Sequence, residues 1–208
     1  MHRGIVPAEA DRRGRPMLKR HTEVIDHSRE HAAGAMTVVG VKYTTARGTA
    51  ERAVDAAMRA LGRPRGRSRT ADEVLPGAAI ADYEALSIEA ERGAAVTLDT
   101  ASRARLTFLY GARVQDVLAL AAEHRDLARP LAPHTAAIGA EVAHAIRRES
   151  ALRLDDIIMR RMTIGSNGWP GDEIVRAVAR IAAAELRWDQ PRIDQEIAWL
   201  RDRYHVLA

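Results

Sequence analysis

The sequence predicts a mainly α protein: a C-terminal helical bundle preceded by a strand–helix remnant of an α/β domain. Three observations carry this expectation. From about residue 79 onward, apolar residues recur at helical spacing, stripe after stripe, with short connections between them. Ahead of them stands one short run rich in β-branched residues, Met36 to Val41, followed at once by a further helical stripe. Between the two lies residues 62–78, GRPRGRSRTADEVLPGA, a Gly/Pro/Arg stretch with nothing to bury. The chain is thereby read as a first unit over 1–61, a linker over 62–78 and a helical domain over 79–208.

The elements follow in order. Residues 1–35 show no clear period and collect Gly4, Pro7, Gly14, Pro16 and Gly34. Met36-Thr37-Val38-Val39-Gly40-Val41 reads as one strand, buried on both faces if it lies inside a parallel sheet. Thr44 or Thr45 can cap the next helix, whose stripe is Ala46, Ala50, Ala53, Val54, Ala57, Met58 and Leu61. Gly62 and Pro64 end it. Beyond the linker, helices are expected over about Ile80–Arg92 and Ala101–Tyr110, the latter stopped by Gly111. Val114, Val117, Leu118 and Ala121 mark another, closed by Pro130 and Pro133. Ile138, Val142, Ala145 and Ile146 mark the next, and Leu154, Ile157 and Ile158 a short one. Ile174, Val175, Val178, Ile181 and Leu186 make a strongly amphipathic helix. Asp189 or Gln190 opens the last, on Ile193, Ile197, Leu200 and Tyr204.

Composition narrows the chemistry. The 208 residues are 47% hydrophobic and include no cysteine. A core is therefore expected, while disulfides, thiolate metal sites and cysteine nucleophiles are excluded. No apolar run approaches the roughly 18 residues that a helical membrane span needs. MHRGIVPAEADRRGRP has no apolar signal-peptide core, so export is not expected. Of the 32 basic residues, only Lys19 and Lys42 are lysine. Residues 1–70 carry a net charge of +8 and residues 71–208 one of −4. That asymmetry raises the question of nucleic acid. Yet Arg63, Arg65, Arg67 and Arg69 stand without interleaved aromatics or a reading helix, so a solvated linker is the better reading.

The stretch with the most chemistry is Gly40-Val41-Lys42-Tyr43-Thr44-Thr45-Ala46-Arg47. A helix that starts directly after a strand presents free N–H groups and the positive end of its dipole, which suits an anion. Lys42 adds a mobile ammonium, the threonine hydroxyls add donors, and Gly40 lets the backbone approach a ligand. A plain strand–helix turn with an exposed lysine fits the same pattern. No Walker loop and no G-x-G-x-x-G is present. His21, His27 and His31 read as solvated surface residues rather than metal ligands, because four-residue spacing gathers two ligands only on a helix. Asp155 and Asp156 are neighbours that diverge on a helix and form no catalytic pair, although Asp155 can help start its helix. Trp169, Trp188 and Trp199 read as packing residues.

The same residues carry a family resemblance. Gly40 to Arg47, with Ala50-Glu51 and Ala53-Val54-Asp55, resembles the G-[GV]-K-[YL]-T-T-x-R run that closes the flavin domain of FAD-dependent glycerol-3-phosphate dehydrogenases. Arg20-His21 and Val24-Ile25-Asp26-His27 are similar to the segment before it. Leu106, Leu109-Tyr110-Gly111, Val117-Leu118, Ala140-Glu141-Val142, Leu154-Asp155-Asp156-Ile157 and Glu185-Leu186-Arg187-Trp188-Asp189 are similar to the family's C-terminal helical domain. The matches run in family order from about residue 18 to 200. Two departures stand out. Val41 replaces a second glycine, and Arg160-Arg161-Met162-Thr163 has one residue more than the usual R-R-T.

The resemblance implies that residues 1–61 are the end of an FAD-binding domain whose dinucleotide fingerprint lies upstream of Met1. It implies hydride transfer from C2 of sn-glycerol 3-phosphate to FAD, giving dihydroxyacetone phosphate, with electrons passed on to a quinone or oxygen. Gly40, Lys42 and Thr44 match family positions near the flavin, and Lys42 and Thr44 those near the substrate phosphate. No catalytic base and no metal site fall in this chain, which is expected to be inactive alone. It also implies a cytoplasmic location, with room for peripheral contact on the inner face of the membrane and for a homodimer. Two other classes compete: a non-catalytic helical module that partners a separate flavoprotein, and nucleic-acid binding through the basic first 70 residues.

Overall fold

The computed structural model describes residues 7–92 and 96–207. Gly4, among the breakers read in the N-terminal stretch, lies outside the described residues. The protein is mainly α, with seven helices and two small sheets among the described residues. It divides into two compact units, one ending at Val74 and the other beginning at Leu75. The boundary falls inside the Gly/Pro/Arg stretch.

The first unit holds more β-structure than a single strand. β1 (Ala8–Ala10) and β2 (Pro16–Leu18) form an antiparallel hairpin. Asp11 closes its turn by accepting the amides of Arg13 and Arg15 at 2.8 and 2.9 Å. Those two amides, Arg15 foremost, hold the Asp11 carboxyl below the usual carboxylate range. β3 (Glu23–Asp26) pairs antiparallel with β4 (Met36–Val39), Glu23 opposite Val39 and Asp26 opposite Met36.

The expected lone strand of a parallel sheet is thus corrected to one arm of a two-stranded hairpin. Only its ends, Met36 and Val39, are half-buried, while Thr37 and Val38 are exposed. The loop between the arms uses left-handed His31 and Gly34, and those turn residues dominate the local composition. A four-residue strand beside them leaves too short a pattern to register.

α1 (Ala46–Ala60) follows β4 through a 3-10 turn at Tyr43–Thr45. It ends at Gly62, whose positive φ lets its N–H reach Arg59 O at 3.0 Å and that of Arg63 reach Met58 O at 2.9 Å. Its inner face is Thr49, fully buried, with Ala53, Ala57 and Met58 half-buried. Ala46, Ala50, Val54 and Leu61 of the expected stripe face solvent.

The second unit is a helical bundle: α2 (Tyr83–Arg92), α3 (Thr100–Tyr110), α4 (Val114–Glu123), α5 (Gly139–Glu149), α6 (Asp172–Leu186) and α7 (Gln190–Leu207). α5 is its centre. Ala140 and Ala143 pack into a core with Leu106, Val114, Val117, Leu118 and Ile138. Val142 and Ala145 pack into another with Leu154, Ile157, Ile158, Val175, Val178 and Leu200, and Ile181 touches both.

The caps follow the residue types. Asp99 accepts the amide and the hydroxyl of Ser102 at 2.8 and 2.9 Å at the start of α3. Asp189 accepts the amide of Arg192 at 2.9 Å at the start of α7. Gly111 ends α3 with φ +53, and a Cβ there would strike the carbonyl oxygen of Gly77. That carbonyl also accepts the Ala112 amide at 3.0 Å. Residues 75–78 therefore pack as part of the helical unit.

The stretch between Leu154 and Met162 is wound differently from the other helices. Asp156–Arg161 is π-helical, and the amide of Met162 reaches back five residues to Ile157 O at 2.9 Å. A five-residue step holds one residue more per turn than an α-helix would. Ile157, Ile158 and Met162 thereby all stay buried.

Candidate functional site

Lys42 sits in extended backbone, φ −148 and ψ 139, immediately before the 3-10 turn that feeds α1. Its carbonyl oxygen accepts both the amide and the hydroxyl of Thr45, at 3.3 and 3.1 Å. Thr45 is the residue before α1, but its hydroxyl turns back to Lys42 instead of capping the helix. Thr49 anchors the turn from inside: its Oγ1 donates to Thr45 O at 2.9 Å and lies 3.2 Å from Thr22 Oγ1. The carbonyls are thereby used up, while the side chains of Lys42, Tyr43 and Thr44 stay in solvent. Gly40 is exposed too, and a Cβ on it would meet nothing within 4 Å.

Lys42 opens onto a cleft of about 410 Å³ lined by Pro7, Met17, Leu18, Lys19, Arg20 and Val41. The β1–β2 hairpin supplies most of that wall, which is why both lysines of the chain and Arg20 come together there. Lys19 is partly spent on Glu23, 2.5 Å from its Nζ. Arg20 and Lys42 have no ion-pair partner among the described residues. Gly40 and Thr44 flank the cleft in sequence without lining it. Such a site can hold a compact dianion between two free cations, beside the positive end of a 15-residue helix. Sequence reading attached Arg20 to the segment before the strand but gave it no role. Only the hairpin fold brings it to Lys42, and no spacing rule encodes that.

The helical unit holds charge of another kind. Glu141, fully buried, accepts Arg105 Nε at 3.1 and 3.2 Å, the Ile138 amide at 3.0 Å and the Tyr110 hydroxyl at 3.3 Å. Burial pushes its carboxyl up, and Arg105 pulls it back. Burial likewise raises the Tyr110 hydroxyl, helped by the charge of Glu141. The group fixes α3 to α5.

Asp155 and Asp156 diverge less than helical neighbours should, for both bind Arg160 Nη1 at 2.9 Å. Asp156, not Asp155, opens the segment, accepting the amides of Leu152 and Arg153 at 3.3 and 3.2 Å. His27 bonds Glu30 and Thr37 at 2.7 and 2.8 Å, and no metal-binding cluster of three such side chains stands among the described residues. The linker arginines pair with acids, Arg65 with Asp55, Arg67 with Asp72 and Arg69 with Glu73. Trp169 and Trp188 pack on the core, and Arg153 lies 4.2 Å over the half-exposed Trp199.

Comparison with known proteins settles the family. Residues 68–193 match the family model of the C-terminal domain of alpha-glycerophosphate oxidase. The chain belongs to that family. Glycerol-3-phosphate dehydrogenase 2 of Mycobacterium tuberculosis is 38% identical over 179 residues, 82% of this chain and 30% of that protein. The glycerol-3-phosphate dehydrogenase of Synechocystis is 29% identical over 191 residues, covering 90% and 33%. The crystal structure of the Bacillus halodurans glycerol-3-phosphate dehydrogenase complexed with FAD superposes with a TM-score of 0.62 at 23% identity, over 80% of this chain and 34% of that one. That likeness supports the fold. This alpha-glycerophosphate oxidase-type chain spans about a third of the length of its curated relatives.

Proposed function

We propose that the chain is the C-terminal part of an FAD-dependent glycerol-3-phosphate dehydrogenase, and that its first unit completes the flavin and substrate site. The observation that carries this is the cleft where Lys42 meets Lys19 and Arg20 at the start of α1. Two uncompensated cations and a helix terminus match a phosphate monoester, and the open space at Gly40 suits a flat ring close to the backbone. The donors present therefore fit FAD and glycerol 3-phosphate. The flavin, when bound, would accept the hydride that leaves C2 of the substrate, and a quinone or oxygen would take the electrons afterwards.

The chain's own residues position and neutralise. Gly40, Lys42 and Thr44 hold the cofactor edge, and the helix terminus stabilises negative charge there. Lys42, with Thr44 and Arg20, holds the substrate phosphate. The proton-accepting group belongs to the remaining two thirds of the enzyme, so this chain is inactive alone.

The test is kinetic, in the complete enzyme assembled from this chain and the flavin domain. Lys42→Ala should lower kcat/KM for glycerol 3-phosphate by about 10²-fold, the scale of one lost charge-stabilising donor. Arg20→Ala should raise KM above all. Unchanged kinetics in both variants would overturn the assignment.

Val38, Val54 and Leu61, all exposed, suit a second reading as well. In it the chain is a non-catalytic subunit that covers this face with a separately encoded flavoprotein. Reconstituted activity from the two separate chains would favour that version.

A further inference from the structure

His144 lies in the middle of α5, 1% exposed. Its ring stands edge-on to that of Tyr110, with centroids 5.1 Å apart. Neither ring nitrogen has a hydrogen-bond partner among the described residues. A neutral imidazole carries one donor and one acceptor, and leaving both unmet in an interior is costly.

The charges around the ring come from four places. α5 itself supplies Glu149, whose Oε1 is 3.8 Å from Nδ1, together with Arg148. The turn before α4 supplies Arg113 and α4 supplies Asp116, joined to each other at 2.9 Å. α3 supplies the Tyr110 hydroxyl, which is committed to Glu141, and Glu141 is matched by Arg105. With those pairs set aside, Glu149 is the carboxylate left to balance a charged ring. Burial above all holds the ring's proton affinity below the usual histidine range, and Glu149 works against it.

Glu149 has a second engagement. Its backbone carbonyl accepts Arg161 Nε at 3.0 Å, and its Oε2 lies 4.0 Å from the same atom. Arg161 is the last residue of the π-helical segment. One carboxylate at the end of α5 therefore stands between a buried histidine and the least regular helical stretch of the bundle.

We propose that His144 is an acid-sensitive latch: a protonated ring draws the Glu149 carboxylate to itself and away from Arg161, releasing the π-helical segment Asp156–Arg161. The sign follows from linkage. The ring binds its proton more weakly in the latched state than in the open one, so the open state takes up protons. Latching is complete above the ordinary histidine range, about pH 6.5, and is lost as the pH falls from there toward the lower folded-state value.

The test is hydrogen exchange of backbone amides 157–165 in the full 208-residue chain, from about pH 7.5 to about pH 5.5. With the intrinsic pH dependence of exchange divided out, opening of this segment should rise by up to about tenfold per pH unit, the linkage of one proton. His144→Gln should flatten that dependence, and Glu149→Gln should make it clearly shallower. A flat response in the natural sequence, or the full slope retained in either variant, would overturn the latch. Should His144→Gln fail to fold, the ring-proton titration of His144 by NMR decides. A ring titrating in step with the opening supports the latch, and one that stays neutral throughout that window refutes it.

Discussion

Glu141 shows how a charge can sit at the centre of a helical protein. It is fully buried, yet each oxygen has partners: the Arg105 guanidinium, the Ile138 amide and the Tyr110 hydroxyl. Arg105 in turn bonds Met162 O at 2.9 Å, so the pair ties α3 to α5 and to the end of the π-helical stretch. Removing one member of such a pair leaves the other buried and unbalanced. Glu141→Ala should therefore cost about 3–5 kcal/mol in urea unfolding at neutral pH. Glu141→Gln keeps an acceptor for Tyr110 and should cost less than the alanine variant. Gly111 is a separate case. Its φ of +53 and the closeness of the Gly77 carbonyl leave no room for a Cβ. Gly111→Ala should cost about 1–3 kcal/mol, from backbone strain and displacement of the residue 75–78 segment. A cost near zero for either variant would contradict this geometry.

At the scale of elements, caps carry their own pH dependence. The Asp99 carboxyl accepts the Ser102 amide and hydroxyl, and these hold it below the usual carboxylate value. Its contribution is present above the ordinary aspartate range and is lost as the pH falls through the lower folded-state value. Asp99→Ala should cost about 1 kcal/mol at neutral pH. The difference from the natural sequence should shrink toward acid, as read by thermal unfolding at several pH values.

The helices beyond residue 79 were legible because each stripe faces a core: Val114, Val117, Leu118 and Ala121 of α4 are all buried. β4 was legible as the β-branched run Met36 to Val41, but β1, β2 and β3 were not, because three- and four-residue strands carry too few alternations to outweigh their turn residues. α1 falls between these cases. Its position is read correctly from Ala46 to Gly62, but Val54 and Leu61 of its stripe point to solvent, since the first unit has little to pack them against. Of the candidate site, the Lys42 turn was legible from strand, lysine, threonines and helix start. Arg20 was not, because the β1–β2 hairpin alone brings it near.

The two units differ in what holds them together, and that governs how the whole chain behaves. The helical unit buries two clusters, rich in Leu, Ile and Val, on both sides of α5. Among its described residues the first unit buries Thr49 and no large apolar side chain; Met17, Leu18, Val38, Val54 and Leu61 are all exposed. Two short hairpins and one helix remove too little apolar surface from water to stand far above unfolding. The stretch between them offers trypsin Arg63, Arg65, Arg67 and Arg69 on exposed backbone. Limited trypsin digestion of the isolated chain should therefore cut first at or before Arg69 and leave a resistant fragment of about residues 75–205. The first unit should become resistant only when the flavin domain is supplied and its exposed apolar face is covered. Since Lys42, Arg20 and Gly40 all lie in that unit, flavin should not accompany the isolated chain through purification and should do so in the assembled enzyme. Equal resistance across the isolated chain, or stoichiometric flavin bound to it, would show that the first unit is stable and complete without a partner.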